Sequence, residues 1–127
     1  MNSRQKFFRC EHCGNMIGLI DDNGVPLVCC GDEMVELIPN STEASKEKHL
    51  PEATVSGDSI SVQVGSAAHP MEADHHIAFV YLETKLGGQR KSLNAGDAPS
   101  VKFIVTDDKP VAVYAYCNLH GLWKTEV

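Results

Sequence analysis

Four of the five cysteines fall within the first 30 residues, as CEHC at 10 to 13 and CC at 29 and 30, and this spacing constrains the chain more than any other feature. A segment of that length buries too little apolar surface to fold on hydrophobic contact alone. A metal ion gripped by thiolates supplies the missing free energy. The two-residue gap of CEHC lets both sulfurs enter one knuckle, and a second pair completes a tetrahedron. Cys29 and Cys30 are adjacent, however, and successive side chains of an extended strand point to opposite sides. Reaching one ion with both requires a bent backbone and a distorted tetrahedron. Gly14 and Gly31 follow the two pairs directly, where a tightening backbone favours glycine. Between the pairs, MIGLIDDNGVPLV reads as a hairpin around an Asp-Asn-Gly turn. Zinc and iron both suit four thiolates. A structural zinc ribbon, a mononuclear iron centre and a pair of disulfides are the three readings of these cysteines.

The remainder of the chain changes character. PNSTEASKEKHLPEAT, residues 39 to 54, is polar with two prolines and reads as a linker that becomes a surface loop around EKHLP. From residue 55 the pattern is that of strands. SISVQV (59 to 64) alternates, HIAFVYLE (76 to 83) is closed by a turn at Gly87-Gly88, VKFIVT (101 to 106) and VAVYAY (111 to 116) flank DDKP, and LWKTEV ends the chain. No stretch has helical periodicity. Short strands with turns at this spacing predict an antiparallel β-sandwich. The expected organisation is a small four-cysteine domain over residues 1–38 and a sandwich over residues 39–127.

The histidines are the second constellation. His12 lies inside the first knuckle and is expected to face solvent. His49 sits in EKHLP, His69 opens HPMEADHH, and His120 lies three positions after Cys117 in CNLHGLW. All fall at or beside strand ends of the proposed sandwich, where loops converge. Of the adjacent His75 and His76, alternation lets only one face a given site. Taken singly, each is an ordinary surface or core histidine. Together, four imidazoles and one thiolate exceed what structural zinc needs. Five ligands leave one octahedral position open, which suits redox-active iron and a small oxygen species.

Charge and hydropathy exclude other classes. The net charge is -6, and each side of Pro39 carries three more acidic than basic residues, so neither holds a basic footprint for nucleic acid. No apolar run approaches the ~20 residues that span a bilayer, and no secretory signal is visible, so the expectation is a cytoplasmic protein without a membrane partner. An odd cysteine count in such a chain points to ligation or catalysis over disulfides.

The ordered set CEHCGN, VCCGDEM, EKHLP, HPMEADHHI and CNLHGLW resembles desulfoferrodoxin, the two-iron class of superoxide reductase, along nearly the whole chain. The resemblance implies a rubredoxin-like iron domain with ligands Cys10, Cys13, Cys29 and Cys30. It also implies a seven-stranded immunoglobulin-like sandwich holding a second, square-pyramidal iron. The equatorial imidazoles would be His49, His69, His75 and His120, and the axial thiolate Cys117. Glu47 would cap the open position in the ferric state, and Lys48 would lie near the approaching anion. The implied reaction is one-electron reduction of superoxide to hydrogen peroxide, with rubredoxin or a related donor restoring the iron and a homodimer as the assembly. Two departures stand out: His76 and Phe79 replace the family's usual aromatic residues after the third histidine, and Leu122 stands where a histidine is common. Two other classes compete with this reading. One is a two-iron electron carrier without a substrate, and the other a zinc-stabilised interaction module.

Overall fold

The computed structural model describes residues 4–127, which divide into two units, 4–38 and 39–127. The first unit holds β1 (Lys6–Arg9), β2 (Met16–Leu19), β3 (Val28–Cys29), β4 (Asp32–Glu33) and β5 (Val35–Glu36). They form a three-stranded sheet in the order β2-β1-β5 and a two-stranded β3-β4 ribbon. The expected hairpin between the cysteine pairs is absent. Met16 pairs back on Arg9 and Leu19 on Lys6, while Val28 pairs forward on Glu33. An ion pair between Lys6 Nζ and Asp22, 2.8 Å long, fastens the Asp-Asn-Gly turn to β1 instead. Phe7 and Cys10 are the only buried side chains of this unit, whereas Ile20, Val25, Val28, Val35 and Ile38 are exposed. The unit has no hydrophobic core capable of holding it.

The second unit begins with one turn of helix, α1 (Lys46–His49), inside the stretch expected to be loop. Seven strands follow: β6 (Pro51–Ser56), β7 (Ser59–Val64), β8 (Ile77–Thr84), β9 (Gly87–Ser92), β10 (Ser100–Ile104), β11 (Pro110–Cys117) and β12 (Gly121–Glu126). They build two antiparallel sheets, β10-β7-β6 and β12-β11-β8-β9. The mainly β architecture and the sandwich agree with the sequence reading. β6 and β9 were not foreseen. β9 (GGQRKS) is exposed along its whole length, and β6 (PEATVS) mixes charge with small residues, so neither carries an apolar alternation to read.

Alternation decides the core. Ile60, Val62 and Val64 of β7 face Val80 and Leu82 of β8, Val113 and Ala115 of β11, and Phe103 of β10. Cys117, at the end of the central strand β11, belongs to the same cluster and is fully buried. Across this end of the sandwich lie α1, the segment 65–76 between β7 and β8, and the turn between β11 and β12. No helix among the described residues is long and apolar enough to cross a membrane.

Candidate metal centres

In the first unit, the sulfurs of Cys10, Cys13, Cys29 and Cys30 all lie within 4.8 Å of one another. The bend required between Cys29 and Cys30 is present: Cys30 takes φ of 53°, in the left-handed region that β-strand residues avoid, and Gly31 follows at 79°. After the first pair, Gly14 at φ 82° returns its N–H to the Cys10 carbonyl at 3.0 Å. The Cys13 N–H, 3.5 Å from the Cys10 sulfur, together with that of His12, pulls the Cys10 thiol down to about 6. Contact with Cys13 and Cys10 pushes Cys30 up to about 12, and Cys29 is raised in the same way. One thiolate forms readily here, and its crowding keeps protons on Cys29 and Cys30. Four thiolates at this spacing require a cation in their midst, so the donor set fits a tetrahedral metal. His12 is exposed, as expected, and its ring contacts the Asp32 carboxylate, joining the two cysteine-bearing segments on their outer side.

The second unit gathers the remaining donors. The ligand atoms of His49, His69, His75 and Cys117 lie within 4.8 Å of one another. His120 joins them, its Nδ1 3.1 Å from His49 Nε2 and 3.8 Å from Cys117 Sγ. The ring centroids trace a near-square. His49 to His69 is 4.7 Å, His69 to His75 4.8 Å, His75 to His120 5.2 Å and His120 to His49 4.9 Å, while the diagonal from His49 to His75 is 6.4 Å. Neighbouring rings meet nearly edge to face.

Hydrogen bonds fix which nitrogens point inward. His49 Nδ1 donates to the Ser45 carbonyl and His69 Nδ1 to the Pro70 carbonyl, each at 2.7 Å. A carbonyl only accepts, so both rings carry their proton on Nδ1 and leave Nε2 bare. The Nε2 atoms of His69 and His75 are buried without any hydrogen-bond partner. Orphaned buried acceptors are costly, and a cation at the centre of the square satisfies them together. Burial pushes His69 down to about 4 and lowers His49 as well, so these imidazoles are neutral bases ready for a metal. Four nitrogens and one sulfur fit a five-coordinate iron with a sixth position open.

His76 is held outside the square. Its Nδ1 contacts the Glu72 carbonyl at 3.0 Å, and its backbone N–H donates to Asn118 Oδ1 at 2.8 Å. Glu47 and Lys48 are exposed on α1, and the Glu47 backbone is pinned. The Glu47 carbonyl accepts the Ala67 N–H at 3.1 Å and the Ser66 hydroxyl at 3.2 Å. Phe79 stacks on Tyr116, with centroids 5.7 Å apart. Leu122 is buried. The sequence reads Asn118 only as a turn former between Cys117 and His120 and assigns no role to Gly65 or Trp123, which support the donors from behind. Asn118 and Trp123 flank ligands within CNLHGLW, and that adjacency was the available signal.

Two family models match the chain: Desulfoferrodoxin over residues 41–126 and the Desulfoferrodoxin N-terminal domain over residues 2–37. A desulfoferrodoxin of Nitratidesulfovibrio vulgaris is 40% identical, with 99% of each chain covered, and one of Syntrophotalea carbinolica is 41% identical over 99% of each. The superoxide reductase of Treponema pallidum superposes with a TM-score of 0.82 at 36% identity, covering 98% of this chain and 100% of its own. The one-iron superoxide reductase of Giardia intestinalis covers 65% of this chain and 98% of its own, with a TM-score of 0.56 and 33% identity.

Proposed function

The chain belongs to the desulfoferrodoxin family, and we propose that its two metal sites divide the work of a superoxide reductase between chemistry in residues 39–127 and a supporting iron in residues 4–38. It converts superoxide, by one electron and two protons, to hydrogen peroxide. The observation that carries this reading is the square of four imidazoles beside a buried thiol, five donors where structural zinc needs four. Iron bound there supplies the electron, and a thiolate ligand makes it a stronger donor.

The residues of the chain do the rest. His49, His69, His75 and His120 would hold the metal through uncharged imidazole donors, so the donor set adds only the thiolate's charge and still admits an anion. Cys117 would hold the iron from within the core, where its sulfur is shielded from solvent. Lys48, next to ligand His49, offers a local positive charge in a chain whose net charge is -6. Glu47, exposed on α1 beside ligand His49, would offer a carboxylate to the iron. Cys10, Cys13, Cys29 and Cys30 hold the other iron, which lends its unit the stability that Phe7 alone cannot give.

Rubredoxin or a similar small carrier returns the spent electron, and two copies of the chain associate. The exposed aliphatic side chains of residues 4–38, Ile20 at 102% and Val25 at 74% among them, support an assembly of that kind.

The test is the reaction of the reduced, two-iron protein with superoxide generated by pulse radiolysis. Rapid bimolecular oxidation of the second iron, with one peroxide formed per superoxide and no dioxygen, is expected. A protein that stays reduced under superoxide is an electron carrier, and a colourless one holding only zinc is an interaction module.

A further inference from the structure

Trp123 is the only tryptophan of the chain, and it is 1% exposed. Its ring lies nearly parallel to that of His49, with centroids 5.0 Å apart and planes 26° apart. Its Nε1–H donates to the backbone carbonyl of His120 at 3.1 Å. One side chain therefore touches two members of the square, through a ring face and through a hydrogen bond. The two members come from different elements.

Both contacts fall where the local structure is weakest. His49 ends α1, a single turn whose N-cap Ser45 makes no side-chain capping bond. A helix this short does not persist on its own in water. The Ser45 carbonyl limits the tilt of the His49 ring, and only a packed surface can limit its rotation about that bond. Trp123 supplies the stacked face, whereas His69 and His120 meet the His49 ring edge to face. His120 sits in the turn between β11 and β12, just before Gly121 at φ 79°. Trp123 itself is rigid, since it pairs with Ala115 within the β11–β12 ladder.

We propose that Trp123 is a positioning residue for the second metal site, setting the ring plane of His49 and the height of the His120 turn before metal arrives. This rests on the ligand set proposed above. The residue touches ligands and not the reacting atoms, so its effect is on how well formed the square is in the empty protein. Groups that orient metal ligands from behind contribute roughly 10- to 100-fold in metal affinity.

The experiment titrates ferrous ion anaerobically, against a competing chelator, into the full chain of wild type, Trp123→Leu and Trp123→Phe. The four-cysteine site serves as an internal reference. Trp123→Leu should lose 10- to 100-fold in affinity at the histidine–cysteine site and nothing at the cysteines. Trp123→Phe keeps an aromatic face and loses the N–H, so its affinity should fall several-fold. A residue that only fills the core would lower the melting temperature of the metal-free chain and leave the affinity of the folded chain alone. Equal affinities in wild type and folded Trp123→Phe would overturn the proposal, even where Trp123→Leu does not fold. A wild type that takes up iron at the cysteines alone would overturn the ligand set instead.

Discussion

Asn118 clasps the segment that carries His75. Its Oδ1 accepts the His76 N–H at 2.8 Å, its Nδ2 donates to the Asp74 carbonyl at 3.0 Å, and its own N–H reaches the His76 carbonyl at 3.2 Å. Asn118 directly follows Cys117, so one side chain sets the distance between two donor-bearing segments. Asn118→Ala removes two hydrogen bonds at an exposed position, worth about 1 kcal/mol together. The expected outcome is a small loss of stability in urea and a several-fold loss of iron affinity at the second site. An affinity equal to that of wild type would show that the two segments hold their spacing without the clasp.

His75→Ala should empty the second iron site, and His76→Ala should leave it loaded. Iron content per folded chain decides this, and the reverse result would exchange the two residues.

The physical reason for that choice was not legible in the sequence. Counting back by twos from the core residues Leu82 and Val80 points Ala78 and His76 inward. The ladder between β8 and β11 instead breaks step, pairing Tyr116 with Phe79 and Cys117 with Ile77. This bulge shifts the inward set to Ile77, and His75 shares its parity. No residue type announces it. The ligand types, their order, the alternation of β7 and the apolar run of β11 were legible because they are chemistry and pattern, which a sequence carries directly. The pairing of β2 with β1, and the turn of helix at His49, depend on contacts that local pattern does not encode.

The two metal sites should fail independently. Cys13→Ser should abolish the visible absorption of a four-thiolate ferric centre and spare most of the reaction with superoxide. Cys117→Ser should do the opposite, since it removes both a ligand and the electron-rich sulfur. Loss of the reaction in a folded Cys13→Ser protein that keeps its second iron would place the chemistry in the wrong unit.

Acid should destabilise the metal-free chain in a defined window. Below about 6.5 the unfolded state protonates its histidines, whereas buried His69 stays neutral until about 4, and His49 is lowered too. The unfolded state then binds more protons, so stability falls as pH drops from about 6.5 toward 4 and is regained as pH rises. The His69 share is roughly 1 to 3 kcal/mol. Urea midpoints of the metal-free chain between pH 7 and 4.5 measure it, and His69→Gln should flatten the slope. A slope unchanged by that substitution would assign the acid sensitivity to other groups.

Gly65 ties the sandwich to α1, which carries Glu47 and Lys48. Its φ is 84°, and a Cβ there would lie 2.6 Å from the Lys48 carbonyl and 2.8 Å from that of Glu47. The turn after β7 can hold α1 this closely only with glycine. Gly65→Ala must therefore push α1 away or refold the turn, at a cost of roughly 1 to 2 kcal/mol for the left-handed backbone alone. Displacing Lys48 should then resemble removing its charge. Two unit charges about 6 Å apart attract by roughly 0.7 kcal/mol in water and roughly 3 kcal/mol at an effective dielectric of about 20. Lys48→Ile should accordingly slow the encounter with superoxide by a few-fold to about a hundredfold, weaken its salt dependence, and leave stability alone. Gly65→Ala should slow the same step while also lowering stability. Pulse-radiolysis rates at two ionic strengths separate the cases. A Gly65→Ala protein that is destabilised yet reacts at the wild-type rate, with the wild-type salt slope, would mean that the turn holds α1 without setting where Lys48 stands.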